Sequence, residues 1–97
     1  MKTTAEYLQL LKQFKDSKAL SYGITKIGLF GSVARGEQHE GSDVDVVYEG
    51  EPNILLRSRM KRELETLFGC RVDLVRFRKQ IENTFFGESI NEDLILV

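Results

Sequence analysis

The stretch Gly28-Leu29-Phe30-Gly31-Ser32-Val33-Ala34-Arg35-Gly36-Glu37-Gln38-His39-Glu40-Gly41-Ser42-Asp43-Val44-Asp45-Val46-Val47 decides how this chain is read. Thr25 to Phe30 has the composition of a strand and runs into Gly31. Ser32 to Arg35 is long enough for one or two helical turns. Gly36 to Ser42 is polar and glycine-flanked, as a loop is. Asp43 to Tyr48 alternates Asp with Val, the two-residue period of a strand. Side chains two apart on a strand share a face, so Asp43 and Asp45 are expected to project together. Val44, Val46 and Val47 are expected to be buried. Two carboxylates this close repel and raise each other's pKa unless a cation sits between them. An acidic pair rising from a buried strand is therefore a metal site or an expensive accident.

Working outward, the spacing predicts a helix over 4–20, with Tyr7, Leu8, Leu11 and Phe14 on one apolar face and Gly23 near its end. Downstream, Pro52 sits where a helix can begin. Leu56, Met60, Leu64 and Leu67 are spaced as one buried stripe, and Gly69 supplies the stop. Arg71 to Phe77 reads as a third strand. Residues 78–91 read as a helix interrupted by Gly87, and Leu94 to Val97 as a short last strand. This order predicts a small α/β (α+β) domain: a mixed sheet of three or four strands with helices packed mainly on one face.

Asp73 lies inside the apolar run Val72-Asp73-Leu74-Val75, where an isolated Asp is disfavoured. If its strand neighbours that of Asp45, the two stand ~4.8 Å apart. Asp43, Asp45 and Asp73 could then hold two Mg²⁺ ions ~3.5–4 Å apart, the arrangement for in-line phosphoryl or nucleotidyl transfer. At the start of the short helix, Gly31 lets the backbone approach a phosphate. The Ser32 hydroxyl can donate to one and Arg35 can neutralise one. No Gly-Lys-Ser/Thr follows, so this is not a Walker A loop. Each signal has a plainer reading. Gly-Ser alone is a turn, Asp-x-Asp alone a solvated edge, and Asp73 alone an ion-pair partner for Arg71 or Arg35. In this order, separated by strands, they favour a site.

Composition narrows the choice. The chain has 97 residues, which suffices for one modest core, so residues 1–97 are expected to be a single domain. It is 41% hydrophobic and 30% charged, as ordinary globular domains are. Its 14 basic and 15 acidic residues nearly cancel, so nucleic acid is not the leading partner. The single Cys70 and single His39 exclude a disulfide and any thiolate-cluster or multi-histidine metal site, leaving a hard metal on carboxylates. His39 reads as a solvated loop residue and Cys70 as a small core residue. Arg57, Arg59, Lys61 and Arg62 read as the wet side of a helix, with a nucleotide or partner as the alternative. No apolar run approaches the ~20 residues that span a bilayer, and the start is no signal peptide, so no membrane and a cytoplasmic location are expected. Phe77, Ile81, Phe85, Phe86 and Ile90 make the C-terminal stretch more apolar than a surface helix needs. Core packing or a surface for self-association or a partner would explain that.

The Gly31-Ser32, Asp43-x-Asp45 and later Asp73 pattern resembles the polymerase β nucleotidyltransferase superfamily. The fuller Gly31-Ser32-x-Ala34-Arg35-Gly36…Ser42-Asp43-x-Asp45 string is similar to its minimal nucleotidyltransferase branch, over nearly the whole chain. Members are small bacterial and archaeal proteins, often paired with a HEPN-domain toxin. The resemblance implies a polymerase β-like fold with Gly31, Ser32 and Arg35 binding the triphosphate. It further implies Asp43 and Asp45 as ligands of both metals, and Asp73 as third carboxylate and base or base-positioning group. Val33 departs from the family, standing where many relatives carry a second basic residue. The implied activity is Mg²⁺-dependent transfer of AMP from ATP to a hydroxyl, expected to be a tyrosine of the partner toxin. The alternatives are an antitoxin that acts by binding alone, or transfer to a small molecule or an RNA end.

Overall fold

The computed structural model describes residues 1–78 and 84–97. Helix α1 (Thr4–Tyr22) begins at a capping box. The Glu6 amide donates to the Thr3 hydroxyl at 3.2 Å, and the Thr3 amide donates to the Glu6 carboxylate at 2.8 Å. Two otherwise orphaned amides are thereby satisfied. The helix closes at Gly23, whose amide returns to the carbonyls of Ala19 and Leu20. Strand β1 (Ile24–Phe30) follows, then the single turn α2 (Gly31–Ala34), β2 (Val44–Gly50), α3 (Ile54–Phe68), β3 (Val72–Arg76), α4 (Phe85–Asp93) and β4 (Ile95–Leu96). Asn53, one residue past Pro52, caps α3 by accepting from the amides of Leu55 and Leu56, both at 3.1 Å.

The four strands form one mixed sheet in the order β3-β2-β1-β4. β1 pairs antiparallel with both β2 and β4, and β2 pairs parallel with β3. Strand alternation gives the sheet two different faces. Ile27, Leu29, Val44, Val46, Tyr48, Val72 and Leu74 point to one face and are all buried. They meet Tyr7, Leu11 and Phe14 of α1 and Met60, Leu64 and Phe68 of α3 in the main core. Tyr7 and Phe68 pack edge to face with ring centroids 5.2 Å apart. The opposite face carries a smaller cluster, in which Phe30 and Val47 pack with Ile90 of α4. The two long helices thus share one face, as expected, and α4 covers part of the other. No helix among the described residues is long and apolar enough to cross a membrane.

Three expectations need correction. The buried stripe of α3 is Met60, Leu64 and Phe68, whereas Leu67 is 36% exposed and Leu56 is only half-buried. A 3.6-residue period accommodates steps of three or four, and the larger Phe68 wins the place against Tyr7. Gly87 does not interrupt α4: it lies in the first turn, where its amide donates to the Thr84 hydroxyl at 3.1 Å. Asp43 lies just ahead of β2 rather than within it. Ile81 and most of the first turns expected over 78–91 lie outside the described residues, as do the side chains of Phe85 and Phe86.

Candidate active site

Asp45 is the second residue of β2, flanked by two fully buried valines that face the helices. Alternation turns its carboxylate to the opposite face, at the end that α4 leaves open. Cross-strand register sets its neighbours. Phe30 lies opposite on β1 and Asp73 beside it on β3. The expectation that β2 and β3 are adjacent therefore holds, with Asp45 and Asp73 in register. Strand pairing reaches back to the Val44 amide, which donates to the Arg71 carbonyl at 3.0 Å. Asp43 extends this line one step and is exposed, as is Asp73. Arg71 lies 3.7 Å from the Asp43 carboxylate, so the ion pair considered for Asp73 belongs to Asp43.

The position of Asp45 has an electrostatic cost. Burial pushes its carboxyl up to about 6, the charges of Asp73 and then Asp43 push the same way, and Arg35 opposes them.

Gly31 is the first residue of α2, immediately after Phe30. Its φ of 72° lies in the left-handed region, where a side chain is disfavoured. A Cβ at this position would also collide with the Asp45 carboxylate. Glycine is required here twice over, because the turn at the end of β1 and the acid on β2 occupy adjoining space. Ser32 is half-buried beside it. The turn is fastened from outside, with the Thr4 hydroxyl donating to the Val33 carbonyl at 2.6 Å and the Glu37 amide to the Ser32 carbonyl at 2.8 Å.

Arg35 follows α2 and is held by two carboxylates. Its Nε donates to Glu37 at 3.1 Å and its Nη1 to Asp93, the last residue of α4, at 2.5 Å. These bonds, that of Glu37 foremost, raise its pKa further above the ordinary arginine value. Sequence reasoning missed Asp93, Glu37 and Thr4. Asp93 stands 58 residues from Arg35 and belongs to no motif, so nothing in the sequence marks it. His39 is an exposed loop residue and Cys70 packs partly buried beside Tyr7, as anticipated. Arg57, Arg59, Lys61 and Arg62 of α3 are exposed, as expected for the wet side of a helix. Arg57 is occupied at the sheet edge, donating to the Leu74 carbonyl at 2.9 Å.

The donor set suits a hard cation, since every acid on this face offers oxygen alone, and Asp45 is raised first by burial and then by its neighbours' charge. Among the described residues no trio of acid, histidine or cysteine side chains is gathered closely enough to cage an ion unaided. That fits Mg²⁺, which usually takes one or two carboxylates and completes its shell with water and substrate phosphates.

A mixed sheet backed by two helices, with a glycine turn against an aspartate pair and a third acid on the next strand, defines a nucleotidyltransferase. The chain belongs to the nucleotidyltransferase domain family, whose model matches residues 9–97. It is similar over its full length to a Methanocaldococcus jannaschii protein provisionally named a protein adenylyltransferase, 39% identical and covered in full. It is 40% identical to the protein adenylyltransferase MntA of Thermococcus cleftensis, over 77% of this chain and 78% of that one. A solved structure described, again provisionally, as a minimal nucleotidyltransferase superposes with a TM-score of 0.74 at 30% identity, covering 97% of this chain and 95% of that one. A toxin–antitoxin crystal structure with AMP-PNP superposes with a TM-score of 0.62 at 25% identity, covering 73% of this chain and 57% of that one. The minimal nucleotidyltransferase fold and enzyme class implied by the motif therefore hold.

Proposed function

We propose that this chain, acting as one domain over residues 1–97 in the cytoplasm, transfers AMP from ATP to a hydroxyl of a partner protein. As the antitoxin of a HEPN/minimal nucleotidyltransferase pair, it would modify a tyrosine of the toxin. The observation that carries the reading is Asp45, wedged between the Gly31 turn and Asp73. The relatives named protein adenylyltransferase and the neighbour with AMP-PNP support it.

In this reading Gly31, Ser32 and Arg35 hold the triphosphate. The left-handed Gly31 keeps that space free of a side chain, and Arg35 supplies charge-assisted donors. Asp43 and Asp45 hold Mg²⁺, which when bound supplies charge stabilisation at the phosphates. Asp73 accepts or orients the proton of the incoming hydroxyl. The hydroxyl oxygen forms a bond to the α-phosphorus, the bond from that phosphorus to the bridging oxygen breaks, and pyrophosphate leaves. Asp73 is exposed, so a protein-borne hydroxyl can reach it without a channel.

The test uses ATP labelled on the α-phosphate, Mg²⁺, this chain and the protein encoded beside its gene. Label is expected on the partner's tyrosine and absent with Asp43→Asn/Asp45→Asn. Label retained by that variant would sink the assignment. A second reading is neutralisation of the toxin by binding alone. It predicts that the double variant still protects cells from the toxin.

A further inference from the structure

Among the described residues, α4 is joined to the nucleotide side of the site by an apolar and a charged contact. Ile90, 1% exposed, packs against Phe30 and Val47. Phe30 immediately precedes the glycine turn, and Val47 lies two residues beyond Asp45 on the same face. One turn further along α4, the Asp93 carboxylate accepts from Arg35 Nη1, and its side chain is only 16% exposed. The Arg35 side chain is 46% exposed and Glu37 58%, so Asp93 is the sheltered partner of this trio. A long arginine on a loop loses much rotamer freedom when it acts at one point. A sheltered carboxylate on a packed helix meets that cost before any ligand arrives.

The donor count decides between a clamp that aims the arginine and one that hides it. A guanidinium carries five N–H groups in a fixed plane. The bonds to Glu37 and Asp93 run from Nε and Nη1. They leave Nη2, and the second N–H of Nη1, for a phosphate oxygen.

We propose that Asp93 is a positioning residue for nucleotide binding: anchored by Ile90, it fixes the Arg35 guanidinium at the edge of the site with its remaining donors free for the triphosphate. The inference rests on the reading of Arg35 as a phosphate ligand. It makes the C-terminal helix part of the nucleotide site, acting through Arg35.

The experiment is a double-mutant cycle read as the Kd of the full chain for ATP with Mg²⁺, by calorimetry. Its members are the unaltered protein, Arg35→Ala, Asp93→Asn and the double variant. Arg35→Ala is expected to weaken binding by roughly tenfold or more, the worth of a charge-assisted contact. Asp93→Asn is expected to weaken it about threefold to tenfold, and to change nothing further when Arg35 is already absent. Asp93→Glu should recover part of the loss. A merely structural role would weaken binding equally in both backgrounds, and that result overturns the proposal. Unchanged or tighter binding by Asp93→Asn, with Arg35→Ala still weak, overturns it too and would mean that Asp93 competes with phosphate. If Arg35→Ala binds as the unaltered protein does, the reading of Arg35 has failed instead. Circular dichroism checks that each variant is folded. Should Asp93→Asn not fold, Asp93→Glu takes its place in the cycle, with a smaller loss expected when Arg35 is present and none in the Arg35→Ala background.

Discussion

Asp45→Asn is expected to abolish transfer and, above pH 6, to make the protein more stable. The carboxyl is raised from its ordinary 3.8 to about 6 by burial and by Asp73 and Asp43. Between those values the folded chain holds a proton that the unfolded chain has released. Folding stability therefore falls as pH rises through that window, and the full penalty is present above pH 6. At ~1.4 kcal/mol per pH unit the displacement corresponds to about 3 kcal/mol at face value. The side chain is only half-buried, so water screens it, and about 1 kcal/mol remains. Asparagine keeps the shape and removes the charge. Thermal unfolding at pH 8 should show Asp45→Asn melting about 4–8 °C above the unaltered protein, the shift 1 kcal/mol produces in a domain this size. At pH 4 the gap should nearly close. Equal stability at pH 8, or a gap of the same size at both pH values, would refute the reasoning.

Other outcomes follow from the same geometry. Gly31→Ala must hold a side chain at φ 72° and displace the Asp45 carboxylate, so urea titration should show a loss of about 1–2 kcal/mol and transfer should fall well below a tenth of its starting rate. A proton competes with the cation for Asp45, so Mg²⁺–ATP affinity measured by calorimetry should drop as pH falls from 7 to 5. Asn53→Ala strips the cap from α3 and should cost about 1 kcal/mol in urea titration while leaving transfer unchanged. Ile90→Ala opens a cavity under α4 and should cost about 2–4 kcal/mol by the same measurement.

What could be read from the sequence was whatever lies close along the chain. The glycine turn, both Asp-bearing strands and the caps at Gly23 and Gly69 are local, set by a period or by a residue's own backbone preference. Asp73 stood out because an acid among β-branched residues needs a reason. The choice of Phe68 over Leu67 was not legible, since helical periodicity tolerates either and only Tyr7 arriving from α1 decides. Nor was the partnership of Asp43 with Arg71, which depends on β2 and β3 starting side by side. Asp93 is the clearest case: an ordinary acid at a helix end that acquires a role only when chain folding brings Arg35 to it.

The two-sidedness of β2 has a consequence for how errors are rejected. Along Val44 to Tyr48, every second residue belongs under α1 and α3, while Asp45 belongs in the open. A slip of one residue against β1 would exchange the two sets. It would press a carboxylate into a dry layer of valine, leucine and phenylalanine and take Val44 and Val46 out of it. Such a chain could not settle, so misaligned catalysts are discarded before they are made. Folding acts as the inspector of the active site, and any copy that passes carries its acids facing outward.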